Sequence, residues 1–258
     1  MIWKRRLVVA GSLLAVTGWV IGAPRLLANW PARLTYLDLP GLAPFRGLET
    51  AGALSSSAGL MVGFENVAPP PDAAKEERIA RVRADPCAAL FGTMTDPGLP
   101  VAFFSDFNCP NCRVLDAILL DFEAANPGAI RIIRHELPLL GAASTIASQA
   151  VLAAELQGGY AAMHDRLIRS RLVTDLNLVV AIAESAGLDG PRLAADMQTP
   201  EIASALDMSK AIASVFGFYG TPSTVIGRIV FMGAIPAADV AQIIKAELTA
   251  VPMDCNRG

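Results

Sequence analysis

Two short apolar runs on either side of an amphipathic segment form the clearest pattern along the chain. Val101 to Phe104 is an apolar run that ends in polar residues, which is typical of a buried strand. From Leu115 to Phe122 apolar residues recur at spacings of three and four, which predicts a helix ending at the turn formers Asn126-Pro127-Gly128. Ile130 to Ile133 is β-branched and typical of a strand, with Pro138 after it. The pattern predicts a βαβ unit.

Further along the chain, helical periodicity gives way to strand periodicity. Residues from about 143 to 218 predict several short helices separated by glycines. Two apolar segments, Ser223 to Ile226 and Ile229 to Met232, are only two residues apart, which predicts a tight hairpin. Ala237 to Leu248 predicts a closing amphipathic helix. The predicted order is βαβ, an inserted helical subdomain, then ββα, which is an α/β fold.

The N-terminal residues have the pattern of an export segment. Lys4, Arg5 and Arg6 stand before an uncharged, mostly apolar stretch from Leu7 to Ala23, which predicts a signal peptide or membrane anchor over residues 1–28. A buried helix of a soluble domain is the alternative. Because the basic flank stays on the cytoplasmic side, we expect the rest of the chain to be translocated. We predict a periplasmic protein, either free or tethered to the inner membrane.

Residues 29–71 show no sustained period but many Gly, Pro and Ser interruptions, among them Ser55-Ser56-Ser57. They predict an extended linker, which Pro69-Pro70-Pro71 stiffens at its end. Ala73 to Ala84 is a charged run that predicts a short helix. We therefore place the folded domain at residues 72–258.

The composition fits a folded domain that does not bind nucleic acid. Hydrophobic residues make up 53% of the 258 residues and charged residues 17%, which is enough apolar material for a core. The 21 Lys and Arg against 24 Asp and Glu give a net charge of −3, which offers no electrostatic footprint for a polyanion. Since the chain has two histidines, a multi-histidine metal site is excluded.

The motif Cys109-Pro110-Asn111-Cys112 lies where the first predicted strand meets its helix. Unpaired N–H groups and the partial positive charge at a helix N-terminus favour a thiolate, so the pKa of Cys109 should be lowered. Pro110 suits the first helical turn, where its missing N–H has no helical partner. Lowering a thiol pKa from about 8.5 to about 5 raises the thiolate fraction at pH 7 from roughly 3% to about 99%. The spacing predicts a redox pair in which Cys109 attacks and Cys112 resolves.

Two other roles for this cysteine pair are open. A structural zinc site would need a second pair, and the remaining cysteines, Cys87 and Cys255, are far away in sequence. An inert structural disulfide is the other alternative, although so short a loop contributes little chain-entropy stabilisation. We hypothesise that Cys87 and Cys255 themselves form a structural disulfide in an oxidising compartment, with two unpaired thiols as the alternative.

Two acidic residues lie near the ends of the first two predicted strands. Asp106 and Glu136 could support the dithiol by moving protons or by raising a thiol pKa. Solvated carboxylates at strand ends are the alternative. His164, in the inserted region, is expected on a helix surface.

Phe104 to Cys112, together with Gly220-Thr221-Pro222-Ser223 before a hairpin, resembles the DsbA-like thiol-disulfide oxidoreductases of the thioredoxin superfamily. The similarity covers most of the chain. It implies a thioredoxin-like fold with an inserted helical subdomain and no cofactor other than the redox-active disulfide of the motif. It also implies that Cys109 is the attacking cysteine, that Pro222 is a cis-proline beside it, and that the Thr221 backbone binds substrate.

The resemblance further implies an exported enzyme that exchanges disulfides with cysteine-containing polypeptides and is recycled by a membrane redox partner. The dipeptide between the cysteines is Pro110-Asn111 rather than the Pro-His of the best-known oxidase, and a threonine precedes Pro222, as in the isomerase branch. The direction of exchange is therefore open between oxidase, isomerase and reductase. A non-catalytic binding or holdase module and a metal carrier at the cysteine pair are the alternatives from other classes.

Overall fold

The computed structural model describes residues 34–49, 52, 55, 72–93, 97–170 and 175–250. The predicted signal or anchor over residues 1–28 lies outside these residues, as does Cys255. Within the described ranges, no helix has both the length and the apolar character needed to cross a membrane.

Six strands in the described part of the chain form one mixed sheet. Their bounds are β1 (Tyr36–Asp38), β2 (Arg46–Leu48), β3 (Leu99–Ser105), β4 (Ile130–Glu136), β5 (Ser223–Ile226) and β6 (Ile229–Met232). The spatial order is β1-β2-β6-β5-β3-β4.

Helices cover the sheet and form the insert. In the same described residues their bounds are α1 (Ala73–Ala84), α2 (Pro86–Phe91), α3 (Pro110–Ala125), α4 (Ala142–Glu155), α5 (Tyr160–Arg169), α6 (Leu176–Ser185), α7 (Gly190–Asp196), α8 (Pro200–Phe216) and α9 (Ala237–Thr249). The predicted helix over residues 73–84 is α1, and the predicted insert corresponds to α4–α8.

The strand pairing confirms the predicted thioredoxin-like fold with its helical insert. β3 and β4 are parallel neighbours joined by α3, with Val101 opposite Ile132. β5 pairs antiparallel with β3, with Phe104 opposite Ser223, and β5 and β6 form the predicted hairpin. The βαβ and ββα units thus share one sheet, and the end of β3 that leads to the cysteine motif lies beside the start of β5.

Alternate residues of β3 enter two cores on opposite faces of the sheet. Ala102 and Phe104 belong to the cluster that α1, α2 and α8 complete, whereas Val101 and Phe103 belong to the cluster with α3 and α9. Successive side chains of a strand point to opposite faces, so a strand covered on both faces needs a continuous apolar run. Burying each phenylalanine contributes about 1.5–3 kcal/mol, which fixes the strand that leads to the cysteines.

The helical insert has a third core of its own. Met163, Leu167 and Leu193 are among its buried residues. Phe107, from the loop between β3 and α3, is fully buried in the same cluster. The loop that precedes the cysteine motif is therefore held by the insert as well as by the sheet.

β1 and β2 lie inside residues 29–71, where the sequence predicts an extended linker, so the structure differs from that prediction. β2 pairs parallel with β6, with Arg46 opposite Ile229. Phe45 is buried, and its ring meets Phe216 edge to face with centroids 5.2 Å apart. Strands of three residues are too short to display a period of two, which is why the pattern predicts none here. Part of the predicted linker extends the sheet.

Candidate active site

Cys109 is the N-cap residue of α3, and Cys112 lies in the first turn of the same helix. Cys109 has extended backbone angles (φ −86, ψ 115), and its sulfur accepts a hydrogen bond of 3.2 Å from the backbone N–H of Cys112. Pro110 follows at the start of the helix, as predicted. Both cysteines are free thiols with no exposed surface. The helix start therefore holds two sulfur atoms side by side, which is the arrangement that disulfide exchange requires.

The pKa of Cys109 is lowered from 9.0 to about 6. The largest cause is the hydrogen bond with the Cys112 side chain, and hydrogen bonds from the side chains of Ser55 and Thr221 and from the backbone of Cys112 act in the same direction, while burial opposes them. The direction is the one predicted from the sequence. The sequence argument relied on the helix N-terminus, whereas in the structure several local donors stabilise the thiolate. At pH 7 a thiol of this pKa is about 90% ionised.

Burial raises the pKa of Cys112 well above its ordinary value, and the hydrogen bond and negative charge of Cys109 add to that effect. The two thiols are therefore unlike at neutral pH: Cys109 is mostly ionised, and Cys112 keeps its proton. Such a pair can attack a disulfide with one sulfur and keep the second in reserve for the resolving step.

Thr221 lies against the sulfur of Cys109, and Pro222 follows it in the chain. The Thr221–Pro222 peptide bond is cis. Sγ of Cys109 lies 3.4 Å from the carbonyl oxygen of Thr221, to which the protonated thiol donates. The start of β5 is anchored by the hydroxyl of Ser223, which donates to the carbonyl of Gly220 at 2.7 Å, and by Gly233, whose N–H donates to the carbonyl of Pro222 at 2.7 Å.

Asp106 is fully buried, so the alternative of a solvated carboxylate at the strand end is wrong for this residue. One carboxylate oxygen accepts the backbone N–H of Asn108 at 2.8 Å, and the other accepts those of Leu139 and Leu140 at 2.9 and 3.0 Å. These bonds join the turn before Cys109 to the loop after β4. Asp106 supports the site by fixing its backbone.

Glu136 is buried too, and it lies in a polar cluster between β4 and the insert. The hydroxyl of Tyr160 donates to its carboxylate at 2.6 Å, and burial raises the pKa of Glu136 to about 7. In the same cluster Arg134 donates to the carboxylate of Asp116 at 2.6 Å and to Nε2 of His164 at 3.0 Å.

The prediction that His164 lies on a helix surface is wrong. His164 is buried, and burial, together with the charge of Arg134, lowers its pKa to about 3, so the ring is neutral and accepts the hydrogen bond from Arg134. A helix surface is the usual place for an isolated histidine, but here a charged partner comes from β4, which is distant in sequence.

Ser55 is the site residue that sequence reasoning missed. Its hydroxyl accepts a hydrogen bond of 3.3 Å from the side-chain amide of Asn111, and it is among the groups that lower the pKa of Cys109. Its backbone forms an isolated antiparallel bridge with Thr221. The only signal in the sequence was a run of three serines in an apparent linker, and that pattern does not indicate a partner.

Cys87 is not part of this site. Cys87, in α2, is buried and disulfide-bonded. Cys255 lies outside the described residues, so the pairing of Cys87 with Cys255 stays a prediction. Among the residues described, no group of three or more His, Cys, Asp or Glu side chains could hold a metal ion.

Several solved structures resemble the chain. A thioredoxin-like oxidoreductase from Silicibacter pomeroyi DSS-3 is 31% identical, with a TM-score of 0.61, over 64% of this chain and 99% of that one. Proteus mirabilis ScsC in a transitional conformation is 25% identical, with a TM-score of 0.57, over 69% and 82%. A periplasmic thioredoxin-like protein from Salmonella enterica serovar Typhimurium is 22% identical, with a TM-score of 0.54, over 70% and 100%. That third likeness shows the fold alone.

No curated protein matches the chain. The profile of the DSBA-like thioredoxin domain matches residues 100–245, which include both cysteines of the motif and the Thr221–Pro222 cis bond. Because the matched residues are more than half of the 258, the chain belongs to the DSBA-like thioredoxin domain family and is a redox enzyme of the thiol-disulfide type.

Proposed function

We propose that the protein is an exported thiol-disulfide oxidoreductase that exchanges disulfides with folding polypeptides through Cys109 and Cys112, with the oxidase direction favoured. The observation that carries this proposal is the opposite shift of two adjacent thiol pKa values, lowered at Cys109 and raised at Cys112. An ionised sulfur is both a good nucleophile and a good leaving group, while its protonated neighbour stays unreactive until the mixed disulfide forms. DsbA-like oxidoreductases act without a cofactor, since the disulfide is itself the redox group.

In the oxidase direction the protein begins with a disulfide between Cys109 and Cys112. A client thiolate attacks Sγ of Cys109, a mixed disulfide forms, and Cys112 leaves as a thiolate that takes up a proton. A second client thiolate then attacks the client sulfur of the mixed disulfide, and Cys109 leaves as a thiolate. Two electrons pass from the two client thiols to the protein, one client proton goes to Cys112, and the other goes to solvent. A membrane redox partner would restore the disulfide.

The reverse direction uses the same atoms and is the alternative proposal. The Cys109 thiolate attacks a client disulfide and forms a mixed disulfide. If Cys112 resolves it, the client is reduced and the protein oxidised, as in a reductase; if another client thiolate resolves it, the client's disulfides are rearranged and the protein stays reduced, as in an isomerase. The threonine before Pro222 favours this alternative, because the isomerase branch of the family that the chain resembles has a threonine there.

The size of the Cys109 pKa shift limits how far it favours oxidation. At pH 7 a thiol of pKa about 6 stabilises the reduced form by at most about 1.4 kcal/mol relative to an ordinary thiol, before solvent screening. For a two-electron couple this is about 30 mV, against about 150 mV between thioredoxin and the strong exported oxidant DsbA. We expect a potential between about −270 and about −120 mV. Equilibration against a glutathione buffer measures it.

Two matched serine variants test the exchange reaction with a peptide dithiol as client. Cys109→Ser should abolish oxidation of the peptide dithiol. Cys112→Ser, mixed instead with an excess of the oxidised peptide, should accumulate a mixed disulfide that mass spectrometry detects, because the Cys109 thiolate attacks the peptide disulfide, a peptide thiolate leaves, and no resolving thiol is present in the protein. Unchanged exchange by Cys109→Ser would overturn the enzymatic proposal and favour a binding or holdase module. Stoichiometric metal after anaerobic purification would favour a metal carrier.

Export is tested separately from chemistry. The basic residues Lys4, Arg5 and Arg6 and the apolar stretch after them support a periplasmic location. Alkaline phosphatase fused to the C-terminus of the full chain should be active, because its disulfides form outside the cytoplasm. An inactive but stable fusion would contradict export, and fractionation of the active fusion separates a released protein from one tethered to the inner membrane.

A further inference from the structure

The backbone of Ser55 occupies both hydrogen-bonding groups of Thr221. The N–H of Ser55 donates to the carbonyl of Thr221 at 2.7 Å, and the N–H of Thr221 donates to the carbonyl of Ser55 at 2.8 Å. This exchange of both bonds is the pairing that an extended peptide makes when it adds to the edge of a sheet. Within the protein itself, one residue therefore already sits on Thr221 as a bound peptide would.

Gly52, three residues before Ser55, makes a second contact with the sheet. The N–H of Gly52 donates to the carbonyl of Met232 at 2.8 Å, at the end of β6. The backbone of Gly52 lies so close to Gly233 and Ala234 that a Cβ at position 52 would overlap both. We call Gly52 and Ser55 the strap. Both residues follow β2 in sequence; Gly52 lies against the end of β6 and Ser55 against the cis-proline turn.

The strap also contacts the reacting residues. The hydroxyl of Ser55 accepts from the Asn111 side chain inside the cysteine motif and is among the groups that lower the pKa of Cys109. Cys109 itself has no exposed surface. Ser55 is one of the residues that surround this buried sulfur.

We propose that the strap is an intramolecular peptide ligand of the Thr221 edge, and that a client polypeptide must displace it to reach Cys109. This inference rests on the proposed function, in which clients bind at Thr221 and exchange disulfides with Cys109. The ligand that this edge takes is an extended polypeptide with a small residue opposite Thr221. A client cysteine brought to the position of the Ser55 hydroxyl would stand next to the attacking sulfur. The protein's own chain thus competes with its clients.

Two strap variants break different contacts and keep the test independent of one side chain. Ser55→Pro removes the N–H that donates to Thr221, and Gly52→Val forces the backbone away from Gly233 and Ala234. Each variant should raise the limiting rate of iodoacetamide alkylation of Cys109 in the full-length reduced protein by about fivefold or more. The reason is that the strap must move away from Thr221 before the reagent reaches Cys109, and the loss of one net hydrogen bond favours that movement by about this factor. Ser55→Ala, which keeps both backbone bonds, is the matched control. Rates are compared on the high-pH plateau, where the thiolate fraction is the same.

The outcomes for the strap and for the enzyme differ. If the unaltered protein exchanges disulfides with a peptide dithiol and both strap variants match its alkylation and exchange rates, the strap is a fixed part of the site and the inference is wrong. If alkylation accelerates in both variants but none of the proteins exchanges disulfides, the inference about the strap is supported and the proposed function is wrong. Acceleration of both reactions supports both proposals.

A crosslink tests the position of Ser55 without relying on rates. In the double variant Ser55→Cys with Cys112→Ala, the introduced thiol lies beside Cys109 and the resolving thiol is gone. With oxidised glutathione the two thiols should form an intramolecular disulfide, giving up two electrons and two protons as glutathione disulfide becomes two glutathione thiols. Lys75→Cys with Cys112→Ala, on an exposed residue of α1, is the control. Equal crosslinking in the two proteins, or none in the first, would count against the strap.

Discussion

The backbone N–H of Cys112 donates to the sulfur of Cys109 at 3.2 Å, so Cys112 helps to hold Cys109 at the start of α3. This backbone bond depends on the helix and not on the side chain at position 112. The side chain of Cys112 is nevertheless the largest cause of the lowered Cys109 pKa. The two contributions can therefore be separated by changing only the side chain.

Cys112→Ala should raise the pKa of Cys109 from about 6 toward its ordinary value of 9.0, because it removes the largest cause of the lowered pKa while the burial that opposes it remains. The rate of iodoacetamide alkylation as a function of pH measures the midpoint in both proteins. A midpoint above 8 for the unaltered protein would contradict the thiolate at Cys109. Equal midpoints in the two proteins would show that the side chain of Cys112 contributes nothing.

Asp106→Asn should destabilise the fold without changing the Cys109 pKa. The carboxylate accepts three backbone N–H bonds, and an asparagine would turn an amide group toward some of them. Hydrogen bonds to a charged group are worth roughly 1.5–3 kcal/mol each, so we expect a loss of about 2 kcal/mol or more in the free energy of unfolding. Urea unfolding measures the loss. A shifted alkylation midpoint with unchanged stability would instead assign Asp106 a role in the redox chemistry.

The parts of the fold that follow from the sequence are those whose side chains repeat with a period. The sequence predicts β3, α3, β4 and the β5–β6 hairpin because the buried residues of each element form a recognisable pattern within that element. It does not predict β1 and β2, because each is three residues long and its stability comes from pairing and from Phe45 against Phe216. The burial of His164 was not predicted for a related reason, since its partner Arg134 belongs to another element of the fold.

The site divides in the same way. The cysteine motif was identifiable because its four residues are consecutive in sequence and lie at the start of a predicted helix. Thr221 and Pro222 were identifiable from the family resemblance. Ser55 meets Thr221 through backbone groups, which any residue possesses, across more than a hundred residues of sequence. No side-chain pattern can indicate such a contact, so only the three-dimensional structure reveals it.

Glu136→Gln should remove a pH dependence of stability. The folded-state pKa of Glu136 is raised to about 7 by burial, so the neutral carboxyl is favoured in the fold, and the stability it supports is fully present below the ordinary pKa of 4.5 and lost as pH rises through about 7. A shift of this size corresponds to about 3 kcal/mol. Glutamine is neutral at every pH and can still accept from Tyr160.

Urea unfolding at pH 5 and pH 8 tests this directly. The unaltered protein should lose more of its free energy of unfolding between the two pH values than Glu136→Gln does. Tyr160→Phe is the matched variant, because it removes the 2.6 Å hydrogen bond and keeps the carboxyl group. Parallel pH profiles for the unaltered protein and Glu136→Gln would show that Glu136 does not titrate in this range.

The disulfide of Cys87 can be assigned by its energetics. Cys87 is disulfide-bonded while Cys109 and Cys112 are free, which leaves Cys255 as the expected partner among the four cysteines of the chain. A bond that closes a loop of more than a hundred residues contributes up to about 4–5 kcal/mol in the chain-entropy model. Cys87→Ala, Cys255→Ala and the double variant should therefore lose the same free energy of unfolding, because each removes one and the same bond. Additive losses, or alkylation of both residues in the unreduced protein, would refute the pairing.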